Sequence, residues 1–464
     1  MNGSRIERDS MGEVAVPAWA YWGAQTQRAV DNFRISGRRL PDPLIQALGL
    51  IKASAAEVNR DLQQLDPRLA DAIIRAADEV ASGQWNDHFP LDVFQTGSGT
   101  SSHMNANEVI ANRANELLGA PLGSRRPVHP NDHVNLGQSS NDVFPTAIHV
   151  AVRGELDRMT EALDALHLSL ETKRREFAEV VKLGRTHLQD AVPMTLGQEF
   201  SGYAAQIAHG RGRLIAIHPH LQELALGGTA IGTGLSAHPD FAPRVIARLA
   251  ERTGFPFCPA PNYFEALAAR DALVETMGAL NTMAVSAMKI ANDLRLLASG
   301  PRGGLGEITL PALQPGSSIM PGKVNPVVPE AVMQAAAQVM GCHTAVTVGG
   351  QHGLLELNTM MPMMAWNTLT AISLLENALR LLDERCVQGI RAEAETCARR
   401  VEGSLALAAA LVRRIGYDPA AEVAKRASEQ GKTIRQIVLE EHLLTEPEAN
   451  EILDPHRMLG PEEQ

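Results

Sequence analysis

The chain has 464 residues, more than one ordinary core accommodates and enough for two or three domains. Its formal net charge of −11, without any run of Lys and Arg, argues against nucleic acid or an anionic membrane as partner. Hydrophobic residues make up 45% but aromatics only 4%, so the core must be built from Ala, Leu, Val, Ile and Met, a mix that favours close-packed helices over a β-sandwich.

The segment Met1 to Trp22 mixes Arg5, Glu7, Arg8, Asp9 and Glu13 with no apolar stretch, so it reads as neither signal nor transit peptide. No apolar run reaches the ~18 residues of a membrane span, and a cytoplasmic location is expected. Up to about Gly137 the helices are short; Leu44, Leu48, Ile51, Ala55 and Val58 predict one from Leu44 to Asp61. Next comes a stripe of Ile148, Val152, Leu156, Met159, Leu163, Leu166 and Leu170, with Pro145 expected in its first turn. Leu196, Phe200, Tyr203, Ile207, Leu214, Ile217, Leu221 and Leu224 predict another helix, kinked at Pro219.

The strongest periodicity lies between Asn262 and Ala298, where Leu273, Met277, Leu280, Ala284, Ala287, Ala291 and Leu294 alternate steps of four and three. Asn262 with Glu265 predicts a capping box at its start, and Gly300-Pro301 an end. Further helices are predicted from near Pro329 and over 367–384. Beyond about Arg391 the helices shorten: Asp418-Pro419 opens one, Gly431 closes it, and Thr433 with Gln436 and Thr445 with Glu448 form capping boxes. The expected architecture is all-α, with domains at 1–137, 138–391 and 392–464. The middle domain is read as a bundle of five long helices whose broad apolar stripes imply packing against copies of itself.

Cys258, Cys342, Cys386 and Cys397 form no Cys-x-x-Cys pair and are expected to be buried, reduced thiols. His218-Pro219-His220 lacks Cys or carboxylate support, so no metal site is predicted there or elsewhere. Four polar segments interrupt the helical background: Thr96 to Asn105; His129-Pro130-Asn131-Asp132 with Gln138 to Asp142; Gly184 to Asp190; and Gly316 to Pro326. Each offers hydroxyls, amides and free N–H groups near a predicted helix start, where anions are favoured. Singly, such clusters are most often helix caps or turns, and Gly97-Ser98-Gly99 completes no nucleotide-binding pattern.

Together the four resemble the fumarase/aspartase superfamily, carried above all by Gly316-Ser317-Ser318-Ile319-Met320-Pro321-Gly322-Lys323-Val324-Asn325-Pro326. The likeness runs over essentially the whole chain. Gly184-Arg185-Thr186-His187, Thr96 to Thr100 and Ala260-Pro261-Asn262 are similar to class II fumarases rather than aspartases. His103 stands where the resemblance leads one to expect Asn, and Val327-Val328-Pro329-Glu330 suits an aspartase equally well.

The resemblance implies reversible hydration of fumarate to L-malate through an aci-carboxylate, a step of the tricarboxylic acid cycle, with no metal, haem or nucleotide cofactor. Removal of a proton beside an ionised carboxylate needs fixed donors for the growing charge, a base on one face and an acid near the leaving oxygen. Ser317 is implied as the base, and His187, oriented by Glu330, as the acid/base partner for water. Lys323 and Asn325 would hold the carboxylate that gains charge. Thr100, Ser139, Ser140, Asn141 and Thr186 would position both carboxylates, with Ser98, Gly99, Ser318 and Val324 in the same substrate-binding set.

Gly316, Pro321 and Gly322 read as part of a lid. A second anion site is implied at His129, Pro130, Asn131 and Asp132. The resemblance further implies a homotetramer with a twenty-helix core and active sites shared by three subunits. The alternatives are an aspartate ammonia-lyase of the same superfamily and a non-catalytic helical scaffold.

Overall fold

A computed structural model gives the structure of residues 3–460. The chain opens with an antiparallel hairpin, β1 (Ser4–Asp9) and β2 (Gly12–Pro17), and continues through α1 (Ala24–Asn32), α2 (Asp42–Asp61), α3 (Pro67–Ala81) and α4 (Thr100–Leu117). The long helix α5 (Ser140–Glu176) leads into a second hairpin, β3 (Val181–Thr186) and β4 (Gln189–Thr195). Then follow α6 (Leu196–Gln222), α7 (Phe241–Thr253), α8 (Tyr263–Ala268), α9 (Asp271–Leu297), α10 (Val327–Gly350) and α11 (Met361–Arg385). Five short helices close the described chain: α12 (Ala394–Gly403), α13 (Ala408–Ile415), α14 (Tyr417–Gln430), α15 (Ile434–Glu440) and α16 (Glu446–Ile452). The fold is all-α, because strands occur among the described residues only as short two-stranded pairs.

The chain divides into two compact units. The first is Met1–Thr160, Gly212–Thr282 and Ala337–Leu375; the second is Glu161–Arg211, Met283–Ala336 and Glu376–Gln464. Every division falls inside one of α5, α6, α9, α10 and α11, so each long helix contributes to both units. In the first unit α2 packs on α3 and α7, and Leu44, Leu48, Ile51, Ala55 and Val58 are all buried as the spacing requires. The carboxylate of Glu108 accepts N–H groups of Gly23, Gln25 and Thr26 at 2.8, 2.9 and 3.1 Å, which anchors the start of α1 on α4. In the second unit Leu183 of β3 joins a core with Val401, Leu407, Leu411, Val423, Ile434, Ile437 and Leu453. Of the three predicted capping boxes, those at Thr433 and Thr445 are formed, whereas at Asn262 the side chain accepts the N–H groups of Phe264 and Glu265 without the reciprocal Glu265 bond.

Four expectations need correction. The helix predicted from Asn262 is two: Asn262 caps only α8, Ala269 is extended, and α9 starts at Asp271. No Gly or Pro marks this break. The buried Arg270 turns its guanidinium back to the carbonyl of Ala266, satisfying a group that a continuous helix would have used. Pro145 lies within α5 rather than in its first turn, because Ser140 already begins the helix. Gly184 to Asp190 does not precede a helix directly but forms the tip of the β3–β4 hairpin, and α6 starts only at Leu196. Cys258 is exposed, whereas Cys342, Cys386 and Cys397 are buried.

Candidate active site

The first unit brings two of the polar segments together. Gly99 caps α4 with φ 73°, and a Cβ there would lie 2.4 Å from Cγ of Phe144 in α5, so only glycine allows the two helix starts to approach. Ser98 Oγ lies 2.8 Å from Thr100 Oγ1. Across from them, Ser139, Ser140 and Asn141 form the half-buried entry of α5, and His103 Nδ1 of α4 reaches Ser140 Oγ at 2.7 Å.

The buried Asp142 fixes this entry. One carboxylate oxygen accepts the N–H of Ser139 at 2.9 Å; the other accepts Gly227 at 3.0 Å and Thr229 at 2.9 Å. Burial pushes the Asp142 carboxyl up, and these N–H donors oppose the shift. Asn141 Nδ2 donates to Ala230 O at 2.8 Å, so the loop after α6 closes one side of the cluster.

His129, Pro130, Asn131 and Asp132 form a tight turn in the same unit. His129 Nδ1 accepts the N–H groups of Asn131 and Asp132, both at 3.2 Å, while Arg125 donates to Nε2 at 2.7 Å. Burial and the Arg125 charge hold the imidazole below its usual value. Asn131 and Asp132 are exposed.

The remaining candidates belong to the second unit. In the β3–β4 hairpin Thr186 pairs with Gln189, and the two residues between them, His187 and Leu188, are both left-handed, with φ 54° and 60°. Such a turn suits the twist of a two-residue hairpin. Thr186 and His187 are exposed at its tip. Beneath them lies an ion network: Arg185 grips Glu307 through two bonds of 2.6 and 3.1 Å, and Lys182 lies 2.5 Å from Glu199 and 3.4 Å from Glu307.

The loop from Gly316 to Pro326 is closed on itself. Gly316 N–H donates to Lys323 O at 2.8 Å, and Asn325 Nδ2 donates to Gly316 O at 2.7 Å. A Cβ on Gly316 would sit 2.5 Å from Lys323 O, so this closure too needs glycine. Ser317 Oγ accepts the N–H groups of Ile319 at 3.2 Å and Met320 at 3.0 Å. Two such donors stabilise an oxygen that carries negative charge. Lys323 Nζ donates to Asn325 Oδ1 at 2.6 Å. Ser318, Lys323 and Val324 are exposed, as is Glu330 in the first turn of α10. Among the described residues, no hydrogen bond joins His187 to Glu330 or Ser317, and no group of three or more His, Cys, Asp or Glu side chains is placed to hold a metal ion.

Comparison with known proteins is decisive on kinship. A lyase family model matches residues 12–341, and one for the fumarase C C-terminus matches 407–460. The chain is 55% identical over 463 residues to the mitochondrial fumarate hydratase of Homo sapiens, covering 99% of this chain and 91% of that protein. The chain belongs to the class II fumarate hydratase family. It is also 53% identical to the class II fumarate hydratase of Methylorubrum extorquens, over 99% of this chain and 97% of that one. The crystal structure of class II fumarase from Schistosoma mansoni superposes with a TM-score of 0.96 at 40% identity, covering 99% of this chain and 100% of that chain.

For a member of the fumarate hydratase family, the polar segments were the informative part of the sequence, but they do not hold every group at these helix starts. Lys52, wholly buried on α2, lies outside them, whereas the wholly buried His103 and Asp142 fall within them. A signal for Lys52 was available: it lies four residues after Leu48 on the apolar face of α2, where a lysine has no place without partners.

Proposed function

We propose that the protein is a fumarate hydratase that interconverts fumarate and L-malate by proton transfer through an aci-carboxylate, as a cytoplasmic homotetramer without a cofactor. The observation that carries this reading is Ser317, whose hydroxyl oxygen faces two backbone N–H donors in a self-closed loop that also carries Lys323 and Asn325. A free serine hydroxyl is far too weak a base to take a proton from malate C3. Donors aimed at Oγ make the alkoxide accessible. As the C–H bond breaks, negative charge moves onto the neighbouring carboxylate, where the Lys323 ammonium and the Asn325 amide stabilise it. His187, oriented by Glu330, protonates the departing hydroxyl, and the C–O bond breaks to give water and fumarate.

Thr100, Ser139, Ser140, Asn141 and Thr186 orient the two carboxylates in this scheme, with Ser98, Gly99, Ser318 and Val324 around them. Thr100 and Ser139 to Asn141 belong to one compact unit, and Thr186, His187 and Ser317 to the other. A site shared by three subunits brings the sets together by assembly. Supporting this, every long helix leaves a large apolar side chain more than a third exposed: Leu168, Ile215, Val285, Leu296, Val348 and Leu381. Over its 24 residues α10 carries a single charge, Glu330. In this reading 138–391 forms the assembling middle segment, 1–137 and 392–464 flank it, and His129 to Asp132 form a second anion site.

The test is to add fumarate to the purified protein with and without ammonium and to identify the product by mass. Malate in both cases is expected. Aspartate formed only with ammonium would make it an ammonia-lyase, and no turnover would overturn the enzymatic reading.

A further inference from the structure

At the buried centre of the first unit, Lys52 Nζ has three polar neighbours: the acceptors Gln138 Oε1 at 2.8 Å and Asn135 Oδ1 at 3.2 Å, and His103 Nε2 at 2.6 Å. Neither amide is free to turn over. Asn135 Nδ2 donates to Gln138 O, and Gln138 Nε2 donates to Val134 O and Leu136 O, so both oxygens must point at the lysine. Lys52 and His103 are each wholly buried.

Hydrogen-bond bookkeeping then fixes the protons. With Lys52 as an ammonium, three N–H donors and no acceptor face these three neighbours. His103 Nε2 must therefore be unprotonated, which puts the imidazole proton on Nδ1. Nδ1 lies 2.7 Å from Ser140 Oγ, so the histidine donates and the serine accepts. The Ser140 hydroxyl proton is left to point away from His103. Burial and the neighbouring Lys52 charge both hold His103 well below its usual value, consistent with a neutral ring. Burial also pushes Lys52 down, and the carboxylate of Asp142 opposes that shift.

We propose that Lys52 and His103 are positioning residues that act through Ser140. The chain Lys52–His103–Ser140 turns the serine O–H away from the histidine and holds it ready to donate, and so favours an anionic carboxylate oxygen at the entry of α5. This deepens the fumarate hydratase reading and rests on it, since it assigns the polarity of one substrate contact. A serine without this chain rotates freely between donating and accepting, and it discriminates less between a carboxylate and a neutral amide or hydroxyl.

Neutron diffraction from crystals of the full-length protein in deuterated buffer tests the proton positions without any substitution. Three deuterons on Lys52 Nζ and one on His103 Nδ1 are expected. A deuteron on Nε2, or a Ser140 deuteron aimed at Nδ1, overturns the proposal.

Kinetics supply the second arm. His103→Leu removes the donor, and KM for malate should rise about tenfold or more with kcat within about threefold, the signature of lost substrate binding. His103→Asn, whose amide can reach Ser140 from the same position, should recover most of the KM. An active His103→Leu enzyme with unchanged KM overturns the proposal. Should His103→Leu fail to fold, the neutron result decides alone. A wild-type protein without fumarate turnover removes the underlying functional reading, whereas wild-type turnover with Nε2 deuterated removes only this inference.

Discussion

Glu307 is fully buried, and its replacement by glutamine gives a sharp test of what holds the β3–β4 hairpin. In the wild type its two oxygens accept from Arg185 at 2.6 and 3.1 Å, and Lys182 lies 3.4 Å away. The two cations are balanced by Glu307 and Glu199, so the network is neutral. The Glu307→Gln substitution would leave it with one uncompensated positive charge and turn an amide N–H toward a guanidinium N–H. Removing one partner of a buried ion pair costs about 3–5 kcal/mol. Two features pull the figure to the lower end: Lys182 keeps Glu199 at 2.5 Å, and the Arg185 side chain retains 14% exposure.

About 3 kcal/mol corresponds to a factor of roughly 10² in a local opening equilibrium. Hydrogen–deuterium exchange read by mass spectrometry is the suitable assay, because unfolding of large proteins is often irreversible. Amides of 181–186 should exchange roughly 10² times faster in Glu307→Gln, while those of α2 and α3 stay as in the wild type. Unchanged protection of the hairpin would refute the view that this ion network anchors it.

Ser317→Ala should lower kcat by at least ~10²-fold with the oligomer intact; near-normal turnover would remove Ser317 from the mechanism. Val285, 52% exposed on α9, should lie in a subunit contact, so Val285→Glu should shift the mass seen by light scattering to smaller species; an unchanged mass would free that face from the interface. Glu79 is held below the ordinary value of 4.5, chiefly by the hydrogen bond from Arg113. Its folded value is the lower one, so its contribution is present above the unfolded value and is lost as pH falls through the folded one. The Tm difference between wild type and Glu79→Gln should therefore be flat from about pH 7 to 5 and shrink below 4.5; a difference that already shrinks above pH 5 would contradict this.

The long helices could be read from the sequence because their stripes follow helical spacing and their buried positions, such as Leu273, Met277, Leu280 and Ala284, are the ones the spacing selects. The break at Ala269 could not, since no Gly or Pro marks it and the buried Arg270 side chain folds back onto the carbonyl of Ala266. The β3–β4 hairpin was equally hidden: Val181 to Thr186 buries Lys182 where a strand pattern would show an apolar residue, and its charge is balanced by Glu199 and Glu307, both far along the chain. At the candidate site the Gly- and Ser-rich loops stood out against apolar helices. Lys52 did not, because it lies inside α2 and its partners, His103, Asn135 and Gln138, come from elsewhere in the chain.

The left-handed pair His187–Leu188 has an evolutionary corollary. Two bulky side chains occupy positions that Asn-Gly fills with less strain, a difference of about 1–2 kcal/mol for each residue. Selection for heat resistance alone would therefore erode this tip early, first at Leu188, which is 73% exposed, and then at His187. Selection that also demands malate formation should let Leu188 drift to glycine while the imidazole beside it persists.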